Sequence, residues 1–303
     1  MASHAANYRG ILAMIGGSAC FSANDAATKF AAQHLPVSEI VAARAGVALL
    51  IAILVIAWRR ELYAISAIRN PYLILRASTE AIIGVLVIYS LSLMPIANFT
   101  AIILIQPFIM TAIGAIWFRE KVGWRRWTAV VAGFAGMLLV MKPATADFEL
   151  VSLVALLAAL LSLTRDLLVR QIHAQVPTTV ISFSTALFAV PVGLLGATMQ
   201  PWTMPDAASL IAIVIAAVFL FAAFILTVLA FRATDVSAVS PFRYSIIVFA
   251  FVFGVAVFGE VPDPISLAGI GIIVTAGLYM LHRERIRRRG QPADTPPPVS
   301  PAV

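Results

Sequence analysis

Ten apolar stretches, each long enough to cross a lipid bilayer, constrain this chain more than any other feature. A helix rises about 1.5 Å per residue, so about 20 apolar residues span the roughly 30 Å of hydrocarbon in a membrane. Short connections, many with a proline, separate the stretches and leave no room for a soluble domain. The sequence therefore predicts an all-α membrane protein with ten transmembrane helices, at residues 10–32, 38–58, 71–94, 97–118, 124–141, 149–170, 178–199, 207–231, 237–258 and 264–282.

The composition agrees with a membrane environment. Apolar residues make up 61% of the 303 residues and charged residues 12%, whereas soluble domains carry about 25% charged residues. So much apolar surface cannot be buried in one soluble core, and lipid must surround most of the chain. The net charge of +7 does not indicate nucleic acid as a partner, because the basic residues lie between apolar stretches and at the C-terminal end.

Residue types that carry enzyme or cofactor chemistry are scarce. Cys20 is the single cysteine, which excludes an intramolecular disulfide and a multi-cysteine metal site. No His-Glu-x-x-His motif and no glycine-rich phosphate loop occurs. We therefore predict no catalytic site, no metal and no cofactor. The four histidines lie near termini or predicted loops: His4, His34, His173 and His282.

The distribution of lysine and arginine predicts the orientation. Fifteen of these residues lie on the side of the predicted N-terminus, Lys142 alone lies on the other side, and five fall within the spans. Under the positive-inside rule, both termini then face the cytoplasm in a multi-pass inner (plasma) membrane protein. Residues 283–303, basic at first and then rich in proline, are predicted to form a disordered cytoplasmic tail.

The two halves of the chain resemble each other. Asp25 and Lys29 of the first helix match Asp166 and Arg170 of the sixth at an offset of 141 residues, and Glu120 matches Glu260 at an offset of 140. Each half holds five predicted spans, and because five is odd the second half must be inverted relative to the first. We predict two inverted five-helix repeats, residues 10–141 and 149–282.

These residues resemble the drug/metabolite transporter superfamily in its ten-helix form, built from two EamA-type repeats. The resemblance is carried by the polar stretch that ends in Lys29, by Arg44, by the fourth helix from Gln106-Pro107 to Glu120, and by the fifth helix, which carries Trp124, Gly133 and Gly136. It implies a transporter of small metabolites. It does not select among amino acids, nucleotide sugars, vitamins, S-adenosylmethionine and cationic drugs, although exporters of aromatic amino acids from enteric bacteria are the first comparison it suggests.

Charged residues within the spans are candidates for gates or for substrate contacts. A charge at the centre of a membrane helix costs about 2.5–3.5 kcal/mol, so such residues are expected to face the bundle interior. Three pairs of opposite charge stand four residues apart, where mutual neutralisation is an alternative to a gating role: Asp25 with Lys29, Arg76 with Glu80, and Asp166 with Arg170. Arg44, Arg165 and Arg243 are candidates for substrate binding or gating, because an arginine on a cavity wall can bind a carboxylate or phosphate.

A central cavity is predicted between helices 1, 3, 4, 6, 8 and 9. Gln106 stands at mid-depth before Pro107, which frees a backbone carbonyl, and such polar backbone is tolerated where it lines a cavity. For any one such polar position taken alone, helix packing or a kink is the alternative, whereas their joint placement favours a cavity. The predicted polar contacts are Gln106, Tyr89, Arg243 and Tyr244, and the predicted apolar contacts are Phe224 and Phe242.

These features predict a secondary transporter, most simply an exporter of amino acids that works by alternating access. An importer of a vitamin, a nucleoside or an S-adenosylmethionine-like solute is the alternative, and a channel or an intramembrane enzyme is a remote one. The predicted partners are a small-molecule substrate and the lipid bilayer, with the protein a monomer or weak homodimer. The glycines of helices 5 and 10 predict close packing of these two helices.

Overall fold

A computed structural model describes residues 4–116, 123–142, 150–169, 172, 176–199, 201–231 and 239–289. These residues form α-helices and two 3₁₀ helices, with no strand among them. The α-helices are α1 (His4–Ala32), α2 (Val37–Arg59), α3 (Pro71–Leu93), α4 (Ile96–Ile103), α5 (Gln106–Ile116), α6 (Trp124–Met141), α7 (Val151–Val169), α8 (Thr178–Gly196), α9 (Ala207–Phe231), α10 (Ile246–Phe258) and α11 (Pro264–Arg289). The 3₁₀ helices are Leu62–Arg69 and Ser240–Ser245.

Each of the ten predicted spans contains helix. Within the described part of the chain, eight segments are long and apolar enough to cross a membrane. One of these eight is α4 together with α5, and another is the 3₁₀ helix Ser240–Ser245 together with α10. The two helices beyond the eight carry charges, since α1 contains Asp25 and Lys29 and α6 begins with Arg125 and Arg126 after Trp124. The protein is therefore an all-α, multi-pass membrane protein.

Helix ends fall where proline and capping residues predict them. Pro36, Pro95 and Pro177 directly precede α2, α4 and α8. The side chain of Asn70 accepts a hydrogen bond of 2.9 Å from the backbone N–H of Tyr72 at the start of α3. Local sequence thus separates the spans, because proline fixes φ and a side-chain acceptor satisfies a backbone donor at a helix start.

Asp263 caps α11 and also joins it to α6. Its carboxylate accepts hydrogen bonds from the backbone N–H groups of Ile265 and Ser266 at 3.0 and 3.1 Å, and from Lys142 Nζ at 2.8 Å. Burial alone would raise the pKa of Asp263, but the hydrogen bonds from Lys142 and Ser266 outweigh it and hold this pKa below its usual range. The ion pair connects the C-terminal end of α6 to the start of α11.

Two of the spans are broken, and the breaks correspond. In the first half, the helix is interrupted at Leu104 and Ile105, and α5 begins at Gln106. In the second half, the 3₁₀ helix Ser240–Ser245 gives way to α10 at Ile246. Positions 106 and 246 are 140 residues apart, which is also the offset between Glu120 and Glu260.

The two halves pack against each other in a reciprocal pattern. α1 packs along α9 as α7 packs along α3, and α1 contacts α10 as α7 contacts α4. α2 also contacts α9 as α8 contacts α3, while α2 packs against α8 and α6 against α11. The same contacts therefore recur when these helices of the first half are exchanged for their counterparts in the second half.

Glycines bring α6 and α11 into close contact. A Cβ atom placed on Gly269 would lie 2.6 Å from the carbonyl oxygen of Gly136, and one on Gly136 would lie 2.8 Å from the carbonyl oxygen of Gly269. Only residues without a side chain allow two helix backbones to approach this closely. The predicted packing of these two helices is confirmed.

The last helix runs further than predicted. α11 continues to Arg289, so residues 283–289 are helical rather than part of a disordered tail. Arginine and glutamate, which dominate this segment, are good helix formers and extend the helix past the apolar stretch. The rest of the predicted tail lies outside the described residues.

Candidate functional site

A cavity of about 280 Å³ lies where the two broken spans meet α7. The first broken span supplies residues on both sides of its break, and the second supplies the end of its 3₁₀ helix and the start of α10. The lining residues are Thr100, Ile103, Leu104, Gln106, Pro107, Met110, Leu163, Asp166, Arg243, Tyr244 and Ile246. The cavity thus combines an apolar wall with a few polar groups, as small-molecule sites do.

Two of the neutral polar groups that line the cavity lack partners. The hydroxyl groups of Thr100 and Tyr244 are buried and accept or donate no hydrogen bond within the described residues. Tyr244 is held against α11 at Gly277, where any side chain would overlap the Tyr244 ring and hydroxyl. Because buried polar groups are normally hydrogen-bonded, these two hydroxyls are exceptions within the described residues.

Asp166 reaches the cavity from a network that links α7 to α3. Arg165 Nη1 donates to both carboxylate oxygens of Glu80, at 3.2 and 2.9 Å. Arg165 Nε and Nη2 lie 2.9 and 2.8 Å from Oδ1 of Asp166. Arg165 therefore contacts both Asp166 of its own helix and Glu80 of α3.

Arg243 stands on the cavity wall without a counterion. It is exposed, and it makes no hydrogen bond or ion pair within the described part of the chain. It follows Pro241 in the 3₁₀ helix that precedes α10. Its guanidinium is therefore accessible to an anionic group in the cavity.

Arg44, Arg76 and Asp25 are not among the residues that line the cavity. Arg76 Nη1 donates to Thr185 Oγ1 of α8 at 2.9 Å, and Arg76 also interacts electrostatically with Glu80. Arg44 lies near α3 and interacts electrostatically with Asp25 and Glu80. Acidic and basic side chains thus alternate in a network that extends across α1, α2, α3 and α7.

A second cluster, which we call the outer clasp, joins Lys29 and Glu260 to the α3–α4 junction. Lys29 Nζ forms an ion pair with Oε1 of Glu260 and donates to the carbonyl oxygen of Met94 at 2.5 Å. Oε2 of Glu260 accepts from the backbone N–H of Ile96 at 3.1 Å. The side chains of Lys29 and Glu260 are only 7% and 19% exposed. The clasp therefore holds the end of α1, the α3–α4 junction and the end of α10 together.

Gly259 gives Glu260 its position in the outer clasp. The backbone of Gly259 has φ +67°, and the N–H of Glu260 bonds to the carbonyl of Gly254 at 2.9 Å to close the end of α10. This left-handed conformation at a helix end favours glycine, which has no Cβ. Gly259 thus ends α10 and places the Glu260 carboxylate where it contacts Lys29.

Several predicted contacts are placed differently by the structure. Lys29 pairs with Glu260 and not with Asp25, which accepts instead from the Asn24 side chain at 2.9 Å. Tyr89, Phe224 and Phe242 are not among the residues that line the cavity, and each is 38–50% exposed. Glu120 and Arg170 lie outside the described residues. Glu260 is recognisable in the sequence as part of the repeat, but its contact with Lys29 of α1 is not.

No group of three or more metal-ligating side chains occurs within the described residues. The site as described is a cavity with charged and neutral polar groups.

Comparisons with known proteins agree with this architecture. The model of the EamA-like transporter family matches the chain twice, at residues 8–142 and 150–282. The S-adenosylmethionine uptake transporter of Rickettsia prowazekii is 28% identical over 65% of this chain and 67% of its own length. The riboflavin transporter of Vibrio cholerae is 29% identical over 64% of this chain and 65% of its own length.

One relative matches over nearly the full length. The pseudopaline exporter CntI of Pseudomonas aeruginosa is 26% identical over 91% of this chain and 96% of its own length. A solved crystal structure shares the fold, with a TM-score of 0.63 at 18% identity over 93% of this chain and 99% of that chain. The predicted superfamily is confirmed, whereas the suggested likeness to an aromatic amino-acid exporter stays a prediction.

Proposed function

Because the chain belongs to the EamA-like transporter family, we propose that it is a secondary transporter that carries small metabolites by alternating access. The observation that carries this proposal is the cavity at the two broken spans. Discontinuous helices at corresponding positions of two repeats are where secondary transporters bind substrate. Alternating access also requires contacts that close one side of the bundle at a time, and the buried ion pair of the outer clasp is a candidate for such a contact.

We further propose ten spans arranged as two inverted repeats, residues 10–141 and 149–282. Three findings support this arrangement: the family model matches each half, the helix contacts are reciprocal, and the helix breaks are 140 residues apart. An axis near the membrane plane between the halves would make the outer clasp and its counterpart at Glu120 and Arg170 alternate as gates. The counterpart is proposed from the sequence match alone.

For the orientation, we propose that both termini face the cytoplasm of the inner membrane, as the basic residues predict. The outer clasp then lies at the outer face and the cavity toward the inner half of the bundle. Alkaline phosphatase is active only outside the cytoplasm, so a fusion after residue 282 should be inactive and a fusion near residue 203 active. The reverse pattern would contradict this orientation.

The relatives support small solutes of varied chemistry and both directions of transport, since their names include uptake transporters and an exporter. We propose export of amino acids as the most direct activity, with import of a vitamin, a nucleoside or an S-adenosylmethionine-like solute as the alternative. The cavity volume of about 280 Å³ lies just under the range of about 300–1,000 Å³ typical of small-molecule sites. A compact solute fits it best.

An exchange assay tests the transport function without prior choice of a substrate. Proteoliposomes are loaded with a mixture of amino acids, nucleosides, vitamins and S-adenosylmethionine. Mass spectrometry then measures which compounds leave them faster than they leave liposomes that carry the same mixture but no protein. We expect a small subset to leave, and we expect Gln106→Ala to weaken the apparent affinity for it several-fold, because Gln106 lines the cavity. Tyr89→Phe is the matched control, since Tyr89 lies outside the lining. No protein-dependent exit of any compound would contradict the proposal.

A further inference from the structure

We infer that the connection between α2 and α3 is a surface that binds anionic phospholipid headgroups, in the leaflet where α2 ends. This surface, which we call the basic patch, consists of Trp58, Arg59, Arg60, Tyr63 and Arg69. None of these residues lines the cavity. Lipid binding at the basic patch is therefore independent of the proposed transport function and can be measured without a substrate.

The basic patch lies at the depth of the lipid headgroups. α2 has 23 residues and is therefore about 34 Å long, enough to cross the hydrocarbon, and it ends with Trp58 and Arg59. The 3₁₀ helix Leu62–Arg69 follows directly, and α3 comes next. Leu54, one helical turn before Trp58, and Leu75 of α3 are exposed, as residues that face acyl chains are. The basic patch thus adjoins the acyl-chain surface at the level of the headgroups of the same leaflet.

The 3₁₀ helix of the basic patch lies against the bundle along one side. Ala64 and Ile68 of this helix pack against Val180 of α8. A 3₁₀ helix has three residues per turn, so residues three apart lie on one line along its surface. Tyr63 and Arg69 share a different line from Ala64 and from Ile68, and both are exposed. Their side chains are therefore accessible to lipid.

The acid of this segment is turned toward the bundle, whereas its bases are exposed. Glu61 is only 17% exposed, accepts a hydrogen bond from Thr179 Oγ1 of α8, and lies 3.9 Å from Arg59 Nη1. The side chains of Arg60 and Arg69 make no hydrogen bond or ion pair within the described residues. α8, against which the segment packs, contains no charged residue. The basic patch therefore presents positive charge outward, and each guanidinium can donate two hydrogen bonds to a phosphate.

Arg60 occupies a position where helices usually end in glycine. Its backbone has φ 58°, and the N–H groups of Arg60 and Glu61 bond to the carbonyl oxygens of Ala57 and Ile56 to end α2. This left-handed conformation favours glycine, because a side chain crowds the backbone there. Glycine would make the same turn with less strain, so the guanidinium serves a purpose other than the turn. Contact with a phosphate is the purpose that its charge and depth support.

Two aromatic residues favour a phospholipid over a free anion. Trp58 is 81% exposed and Tyr63 76%. Such rings prefer the boundary between headgroups and acyl chains, because each has an apolar body and a polar N–H or O–H. Free phosphate would contact the arginines but leave both rings in water, whereas a phospholipid covers the rings as well. An anionic lipid such as phosphatidylglycerol is favoured, because each arginine near an anionic surface strengthens binding about fivefold.

Retention of lipid through purification tests this surface on the unaltered protein. The full chain is reconstituted in vesicles of phosphatidylethanolamine with phosphatidylglycerol as the minor lipid, and is then extracted in a mild detergent. Mass spectrometry counts the molecules of each lipid that stay bound per protein. We expect phosphatidylglycerol to be enriched several-fold over its share in the vesicles, and less so at high salt, which screens exposed charges. Retention of both lipids in the proportion of the vesicles would overturn the inference.

Substitutions then assign the lipid to the basic patch. Arg60→Gln combined with Arg69→Gln should lower the retention of phosphatidylglycerol about tenfold or more, because two charges are removed. Arg60→Gly removes one guanidinium but relieves the left-handed backbone. It should therefore retain less phosphatidylglycerol while its melting temperature in detergent stays the same or rises, which separates loss of lipid from loss of the fold. Unchanged retention in these variants would overturn the assignment.

Arg125→Gln is the matched control. It removes the same charge from an exposed residue on the same predicted face of the membrane, outside the basic patch. Arg125 already has an aromatic partner, since its Cζ lies 5.3 Å from the centroid of the Trp124 ring. We expect this variant to retain phosphatidylglycerol as the parent does. If it loses as much as the double variant, the charge of the whole face attracts the lipid, and the basic patch is not a binding surface.

Discussion

A Lys29→Gln variant is expected to lose about 90% of its transport activity, because it breaks the ion pair that we propose as a gate. Removing one partner of a buried ion pair costs about 3–5 kcal/mol. Since about 1.4 kcal/mol corresponds to a factor of ten, the closed outer face would be disfavoured by roughly a hundredfold or more. The variant also lacks the hydrogen bond from Lys29 Nζ to the carbonyl oxygen of Met94.

A double variant that exchanges the two charges of the outer clasp tests whether opposite charges alone are enough for transport. Lys29→Glu with Glu260→Lys restores the opposite charges, but glutamate at 29 cannot donate to the Met94 carbonyl and lysine at 260 cannot accept from the Ile96 N–H. We therefore expect the swap to remain inactive in the exchange assay. Full recovery of activity in this double variant would show that the hydrogen bonds to the α3–α4 junction are not needed.

Labelling of an introduced cysteine tests the same gating role without a substrate. With Cys20 replaced by serine, Thr100→Cys places a thiol on the cavity lining. In right-side-out vesicles, an impermeant maleimide should label this cysteine several-fold faster when Lys29→Gln is added. Lys142→Gln is the control, because it breaks the ion pair with Asp263 between α6 and α11 and leaves the clasp intact. Equal labelling in all three proteins would contradict the gating role.

A Gly269→Ala variant is expected to lose about 1–3 kcal/mol of stability through overpacking. The added methyl group meets the carbonyl oxygen of Gly136, which belongs to a helix backbone and cannot move without shifting α6 relative to α11. The expected observation is a melting temperature lowered by several degrees in detergent.

Gly271, two residues further along α11, provides the matched control. A Cβ at this position meets no atom within 4 Å. Alanine there should leave the melting temperature unchanged or raise it, because alanine favours a helix over glycine by about 1 kcal/mol. If both variants melt alike, the close contact between α6 and α11 does not contribute to stability.

The positions of the helices could be predicted because they depend on local properties. A run of about 20 apolar residues bounded by proline predicts a transmembrane helix from local sequence alone. The prolines before α2, α4 and α8 stand at the predicted boundaries. Gln106-Pro107 indicated a polar, irregular point in the fourth span, and the helix is indeed broken just before Gln106. The 3₁₀ helix Leu62–Arg69 escaped prediction because its pattern is too short to distinguish from a loop.

The contacts of individual side chains were harder to predict, for two physical reasons. Lipid and protein interior are equally apolar, so composition does not reveal whether Phe224 or Phe242 faces the cavity or the membrane. The spacing of four residues places Asp25 and Lys29 on one face of α1, but Lys29 lies near the helix end, where its long side chain reaches Glu260 of a distant span. That partnership depends on how α1 and α10 are packed, which the sequence of either helix does not contain.

The charges of the cavity are distributed unequally between the halves of the chain. Asp166 and Arg243 both belong to the second half, whereas the first half contributes apolar and neutral polar groups to the lining. The two halves thus contribute differently to the cavity, because the charged residues of its lining come from the second half. Substitutions at positions 166 and 243 would therefore change the charge of the cavity while leaving the glycine contacts of α6 and α11 and the outer clasp untouched.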